Sequence, residues 1–290
     1  MTTTKLPPSP ARRLRNYLLA FLASFLLCGG IVACILAEFA YSILELNKYA
    51  FEQVLAASDK PEALKVLFLG NSLLYTYSLP RQLAAIYRAE GGGPLKLQQV
   101  VVPGESLSGH LKTGRFAQVL SANGPWDYVV IQPATFETFD SYPSFKRDLA
   151  EVIALVRKSS RAQPLIFMTW TDEGEFGRQE FISQTYRRLA SELNVRLIAD
   201  GDLLQFAHRE APQLKLFLVD KHHPNRDGSY LGALLVYYVL SGKMPLDPPL
   251  KIETGSVILV NLSAGQRSTL LGLLKKFLEI DASVGQGPRR

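Results

Sequence analysis

Val66-Leu67-Phe68-Leu69-Gly70-Asn71-Ser72 is an apolar run that ends in a glycine and two small polar residues. It reads as a buried strand leaving a sheet through a tight turn, with a hydroxyl at the mouth of that turn. Working outward from this strand (Lys65–Leu69), further short apolar strands are predicted at Lys96–Val102, Tyr128–Gln132, Pro164–Met168 and Val195–Ile198. Between and after them the spacing predicts helices over Pro80–Glu90, Ser144–Ser159, Gln179–Leu193, Arg226–Leu240 and Ser263–Ile280. The clearest is the third-and-fourth repeat of Phe145, Leu149, Val152, Ile153 and Val156. Short apolar strands alternating with helices imply an α/β fold, a three-layer α/β/α sandwich around a mostly parallel five-stranded sheet. In such sheets ligands bind beyond the carboxyl ends of the strands.

A second stretch, Asp220-Lys221-His222-His223-Pro224, sets a carboxylate three residues before an imidazole. Ser72, His223 and Asp220 then supply the parts of a nucleophilic hydrolase: a hydroxyl to attack, a base to take its proton, and a carboxylate to fix the base's tautomer. Gly104 follows the second strand and Gln132 the third, so all can meet at one sheet edge. Each residue also has a plainer reading. Ser72 could be a turn residue or helix cap, Asp220 and Asn225 caps of the next helix, and His223 a structural histidine. His222 is a rival base. The Asp-Lys-His-His cluster could also be a partial metal site, though adjacent histidines point in different directions and no further ligand set is apparent. Asn71, His110 and Trp170 are candidates to line a substrate pocket. Glu137 could support Gln132 or be a solvated loop residue, and His208 is read as a polar-loop residue with no role.

With these residues in view, the chain resembles the SGNH hydrolases, the GDSL-like esterase/lipase superfamily, over roughly Val66 to Leu240. Gly70-Asn71-Ser72 matches the first block, usually Gly-Asp-Ser, and Asp220 through Pro224 matches the final Asp-x-x-His-Pro block. The resemblance implies Ser72 as nucleophile, His223 as base, Asp220 as acid, and an oxyanion hole from the backbone N–H groups of Ser72 and Gly104. The third block departs. Where most of the superfamily has Gly-x-Asn-Asp, this chain has Gln132-Pro133-Ala134-Thr135. Gln132 resembles the glutamine of a branch whose first block also reads Gly-Asn-Ser, which implies a third oxyanion donor there. The implied activity is hydrolysis of short acyl esters, O-acetyl groups on glycans foremost, without metal or organic cofactor. An O-acyltransferase and a non-catalytic carbohydrate- or envelope-binding module on the same fold are the alternatives. A lipase or thioesterase acting on membrane lipids would need a long apolar trough.

The N-terminal part has a different character. No charged residue occurs from Tyr17 through Ala37, while Lys5, Arg12, Arg13 and Arg15 precede that run. At about 1.5 Å per residue it is long enough to cross a hydrocarbon core of about 30 Å. The flanking charges predict a cytoplasmic basic tail (1–16), a transmembrane signal anchor in the lipid bilayer (17–39), a membrane-proximal helix and linker (40–61, helical over Tyr41–Ala57), and an extracytoplasmic hydrolase domain (62–282). Residues 283–290 read as a disordered tail. A lipoprotein modified at Cys34 and a cleaved signal peptide are the competing readings. The net charge is +6, but four of those charges lie in the first 16 residues, which argues against a nucleic-acid partner. Both cysteines, Cys28 and Cys34, lie in the apolar run, so the domain beyond it has no thiol chemistry and no disulfide.

Overall fold

In a computed structural model the described residues are 54–281 apart from 59, 160 and 256. The anchor, the basic tail, Cys34 and the C-terminal tail lie outside them. Among the described residues no helix is long and apolar enough to cross a membrane.

The apolar run at Val66 is the middle of a six-stranded sheet. Its strands are β1 (Val54–Ala56), β2 (Leu64–Gly70), β3 (Leu95–Val101), β4 (Tyr128–Ile131), β5 (Gln163–Phe167) and β6 (Arg196–Ile198). The order is β1-β3-β2-β4-β5-β6, with β2 to β6 parallel and β1 antiparallel at the edge. Val66, Leu67, Phe68 and Leu69 are all fully buried, because helices cover both faces and every position along the strand must be apolar.

Nine helices accompany the sheet among the described residues: α1 (Ser72–Tyr75), α2 (Leu79–Ala89), α3 (Leu107–Thr113), α4 (Arg115–Ala122), α5 (Tyr142–Ser159), α6 (Gln179–Leu193), α7 (Asp200–Glu210), α8 (Arg226–Ser241) and α9 (Ala264–Ile280). Helix α8 packs against α2, α7 and α9, whereas α5 packs against α3, α4 and α6. The five expected helices are present within two residues of their predicted ends. Chain order reverses at β2, which has β3 on one side and β4 on the other. The crevice beyond its carboxyl end is the topological switch point, and Gly70-Asn71-Ser72 lies there.

Three differences from the sequence reading have physical causes. The helix expected over 41–57 does not extend to its C-terminal end. Val54 pairs with Gln98 and Ala56 with Leu97, giving the outer edge of β3 a partner that helical backbone could not supply. Helices α3 and α4 fill the link from β3 to β4; each is only two turns long and Gly114, at φ +67°, breaks them apart, too short for a periodic signal. Helix α7, which contains His208, and a hairpin of β7 (Lys251–Thr254) and β8 (Val257–Asn261) complete the domain.

Asp200 opens α7 and is 2% exposed, with one carboxylate oxygen lacking any partner. Burial pushes its pKa up from 3.8 to about 8. The folded state therefore holds a proton that the unfolded chain releases near pH 4. The stability this contributes is complete below the unfolded value and is lost as pH rises through about 8. Thermal melts should show the wild-type Tm falling between pH 6 and pH 9, and Asp200→Asn, of the same shape but unable to ionise, should show a distinctly smaller fall.

Candidate active site

Strand β2 runs into the site through Gly70. A Cβ there would collide with Gln132 Oε1 and lie 2.8 Å from Leu74 Cδ1, so the strand end can pass over Gln132 only as glycine. Asn71 caps α1, its Oδ1 accepting from Leu73 N–H at 3.2 Å, and this places Ser72 at the first helical position. The Ser72 N–H there has no partner one turn back. Asn71 also donates through Nδ2 to Glu105 O (3.2 Å), and its own N–H donates to Gln132 Oε1 (2.9 Å). His110, 2% exposed, sets its Nε2 2.9 Å from Gly70 O. Burial holds its pKa below the ordinary histidine value, so the ring is neutral with Nε2–H as the donor.

Asp220 and His223 come from a loop closed by antiparallel pairing of Phe217 with Pro224. Leu218 N–H donates to His223 O (2.8 Å) and Asn225 N–H to Leu216 O (2.9 Å). Within it Lys221 is left-handed at φ +61°, and this turns the Asp220 carboxylate back onto the following residues. Asp220 Oδ1 accepts from the N–H groups of His222 and His223, both at 3.0 Å, while Oδ2 lies 2.7 Å from His223 Nδ1. Burial opposes the charge on Asp220. The His223 hydrogen bond, the two backbone donors and the charge of His223 outweigh it and bring the pKa down to about 2. An ionised Asp220 fixes the proton of His223 on Nδ1 and leaves Nε2 as an acceptor, 2.8 Å from Ser72 Oγ. Asn225 caps α8 immediately afterwards, accepting from Asp227 and Gly228 N–H groups.

Ser72, His222 and His223 face a cleft of about 390 Å³ whose walls include Asn71, Gly104, Ala134, Thr135, Phe136, Phe139 and Arg178. Gly104 is left-handed at φ +64°, a conformation suited to glycine. His222 stands at 89° to the His223 ring and is held through Nδ1 by Asp172 at 2.7 Å, so the two histidines serve different carboxylates.

Three expected pocket or oxyanion residues are placed otherwise. Gln132 is 1% exposed and absent from the cleft wall; its Nε2 donates to Pro133 O while Oε1 holds the Asn71 N–H. Its extra methylene folds the amide back beneath the first loop, where two backbone groups need partners. His110 supports Gly70 from behind and does not reach the cleft. Trp170 is core, packed near Phe167 and Phe217, and its Nε1 donates to His222 O at 2.8 Å, steadying the loop that carries Asp220 and His223. The sequence reading did not identify the wall residues Thr135, Phe136, Phe139 and Arg178, nor Asp172. Phe136 and Phe139 are exposed aromatics just past a strand end, a signal that could have found them.

No protein-family model matches the chain, and no curated protein matches it in sequence. Solved structures do resemble it. One is a DUF4886 family protein from Bacteroides uniformis (TM-score 0.62, 16% identity, 78% of this chain and 98% of that one). A lipase/acylhydrolase from Enterococcus faecalis has TM-score 0.51 and 17% identity over 63% of this chain and 99% of its own. A member of the lipolytic protein G-D-S-L family from Veillonella parvula has TM-score 0.50 and 16% identity over 62% and 99%. The chain has the SGNH/GDSL-like hydrolase fold.

Gln132→Ala would leave the Asn71 N–H and the Pro133 carbonyl buried without these partners, at roughly 1–3 kcal/mol each. Urea unfolding should therefore show a loss of several kcal/mol in stability, whereas a donor that acted only on a substrate oxyanion would leave the midpoint unchanged.

Proposed function

We propose that the chain is a serine esterase acting on short acyl esters. The observation that carries this reading is the continuous chain Ser72 Oγ–His223 Nε2 (2.8 Å) and His223 Nδ1–Asp220 Oδ2 (2.7 Å) opening on a cleft. The neighbouring hydrolase and lipase structures support it at the level of fold.

In the mechanism Ser72 Oγ attacks the ester carbonyl carbon as His223 Nε2 takes its proton, and Asp220 stabilises the imidazolium. The backbone N–H groups of Ser72 and Gly104 receive the oxyanion. Collapse breaks the carbonyl–alkoxy bond, and the leaving alkoxide takes the proton from His223. Water then attacks the acyl-Ser72, giving its proton to the same nitrogen, and the second collapse frees the acid and restores the Ser72 hydroxyl. Ala134, Thr135 and Phe136 bound the cleft, which fits a small acyl group. With the apolar run at 17–39 as an anchor, the site would face an envelope in which O-acetylated glycans are the natural esters.

The test is p-nitrophenyl acetate hydrolysis by the full-length chain. Ser72→Ala and His223→Ala should each lower kcat/KM by at least about 10⁴-fold. His222→Ala, which removes a wall residue rather than the base, should cost less than about tenfold. Wild-type activity equal to that of Ser72→Ala would overturn the reading.

A further inference from the structure

Glu137 is a buried carboxylate that the mechanism above does not use. It is 5% exposed, and it bonds two loops that both contribute residues to the cleft. Its Oε1 accepts from Leu107 N–H at 3.0 Å, at the start of α3 just after the Gly104 turn. Its Oε2 accepts from Ala134 N–H at 2.7 Å, in the loop after β4. Gly104 lies on the first loop. Ala134, Thr135 and Phe136 lie on the second, and Thr135 brings a buried hydroxyl with no partner.

We propose that Glu137 is a positioning residue for the esterase reaction: its carboxylate ties the Gly104 loop to the Ala134–Phe136 loop and so fixes the oxyanion donors and acyl wall relative to Ser72. The inference rests on the esterase reading above. Two observations favour a positioning role over simple packing. The two bonds run to separate loops, 30 and three residues away in sequence, so the carboxylate closes a gap that no backbone ladder closes. The group is also unfavourable where it stands. Burial pushes its pKa up to about 7 against the pull of the Ala134 and Leu107 N–H groups, and Asp148 and Asp140 push it further up. An apolar residue would fill that space without the penalty, but would leave both loop amides without acceptors.

The proposal assigns a distinct kinetic signature. Donors that act on the transition state change kcat with little change in KM, and small misplacements of such groups cost up to about 10²-fold. Glu137→Gln keeps one acceptor but turns an amide donor toward the other N–H, whereas Glu137→Ala removes both acceptors. Burst titration of the full-length chain with p-nitrophenyl acetate counts competent sites, and steady-state kinetics gives turnover per site. Per-site kcat should fall roughly tenfold in Glu137→Gln and about 10²-fold in Glu137→Ala, with KM within about twofold and burst amplitude retained in the glutamine variant. Unchanged per-site kcat in Glu137→Gln, or a loss explained wholly by fewer competent sites, would overturn the positioning role alone. A wild type with no burst and no Ser72-dependent turnover would overturn the esterase reading and this inference together.

Discussion

Parallel strands that end abreast leave their last backbone N–H and C=O groups without ladder partners, in a place too buried for water to serve them all. Around β2 the fold meets this constraint with backbone and side-chain groups from the segments that follow β3 and β4. Gly70 O accepts from Val102 N–H and from His110, and Leu69 O accepts from Gln132 N–H. Asn71 N–H goes to Gln132, and Asn71 itself reaches Glu105 O. Glu137 closes the set by joining the loops after β3 and β4. Ser72 therefore stands on a turn whose neighbours on both sides are hydrogen-bonded to it from beneath. Buried polar networks of this kind are costly when incomplete and rigid when satisfied, and a nucleophile gains from rigidity because its distance to the base must hold within tenths of an ångström.

This also explains what the sequence could and could not disclose. Strands β2 and β4 were legible because they are covered on both faces and read as near-continuous apolar runs, whereas β3 buries Gln98 and Gln99 among its apolar residues; α5 and α6 were legible from their one-sided periodicity. That Ser72, Asp220 and His223 would come together was legible because they stand at a strand end and before a helix that open on one sheet edge. The supporting residues were not. Gln132 and the asparagine usual in the SGNH hydrolases carry the same amide, and the position of Asn71 N–H and Pro133 O decides which way it points here. His110 and Trp170 are polar-aromatic residues near the site, yet both face away from the cleft, since their ring nitrogens bond backbone carbonyls at Gly70 and His222. A glutamate in a Pro-Ala-Thr-Phe-Glu loop has no local mark that it will be buried. One of its partners, Ala134 N–H, is local, but the other, Leu107 N–H, is supplied by a loop 30 residues earlier, so the link between the two loops exists only in the tertiary structure.

His223 is held quite differently from Ser72. Its loop is anchored to the exit of β5, through Trp170 to His222 O, Glu173 N–H to Lys221 O at 2.7 Å, and Asp172 to the His222 ring. The two halves of the candidate site thus rest on separate networks, and the Ser72–His223 hydrogen bond spans them. Changes in the Gln132–Glu137 network bear on the Ser72 side of the cleft, whereas changes around Asp172 and Trp170 bear on His223.

Within the loop that carries His223, Asp220 has two tasks. A lysine in the left-handed region costs about 1–2 kcal/mol, and Lys221 holds that conformation at φ +61°. Hydrogen bonds to an ionised carboxylate contribute roughly 1.5–3 kcal/mol each, reduced here because Asp220 is 38% exposed. Its two bonds to the His222 and His223 amides offset the strain at Lys221. The carboxylate that orients the His223 ring is thus also the one that keeps the loop folded around it. Asparagine can still accept from the two amides with its one oxygen, but it cannot supply the negative charge that an imidazolium at His223 requires. Asp220→Asn separates the two tasks, and comparison with Asp220→Ala measures how much of the residue's effect belongs to the turn and how much to the charge.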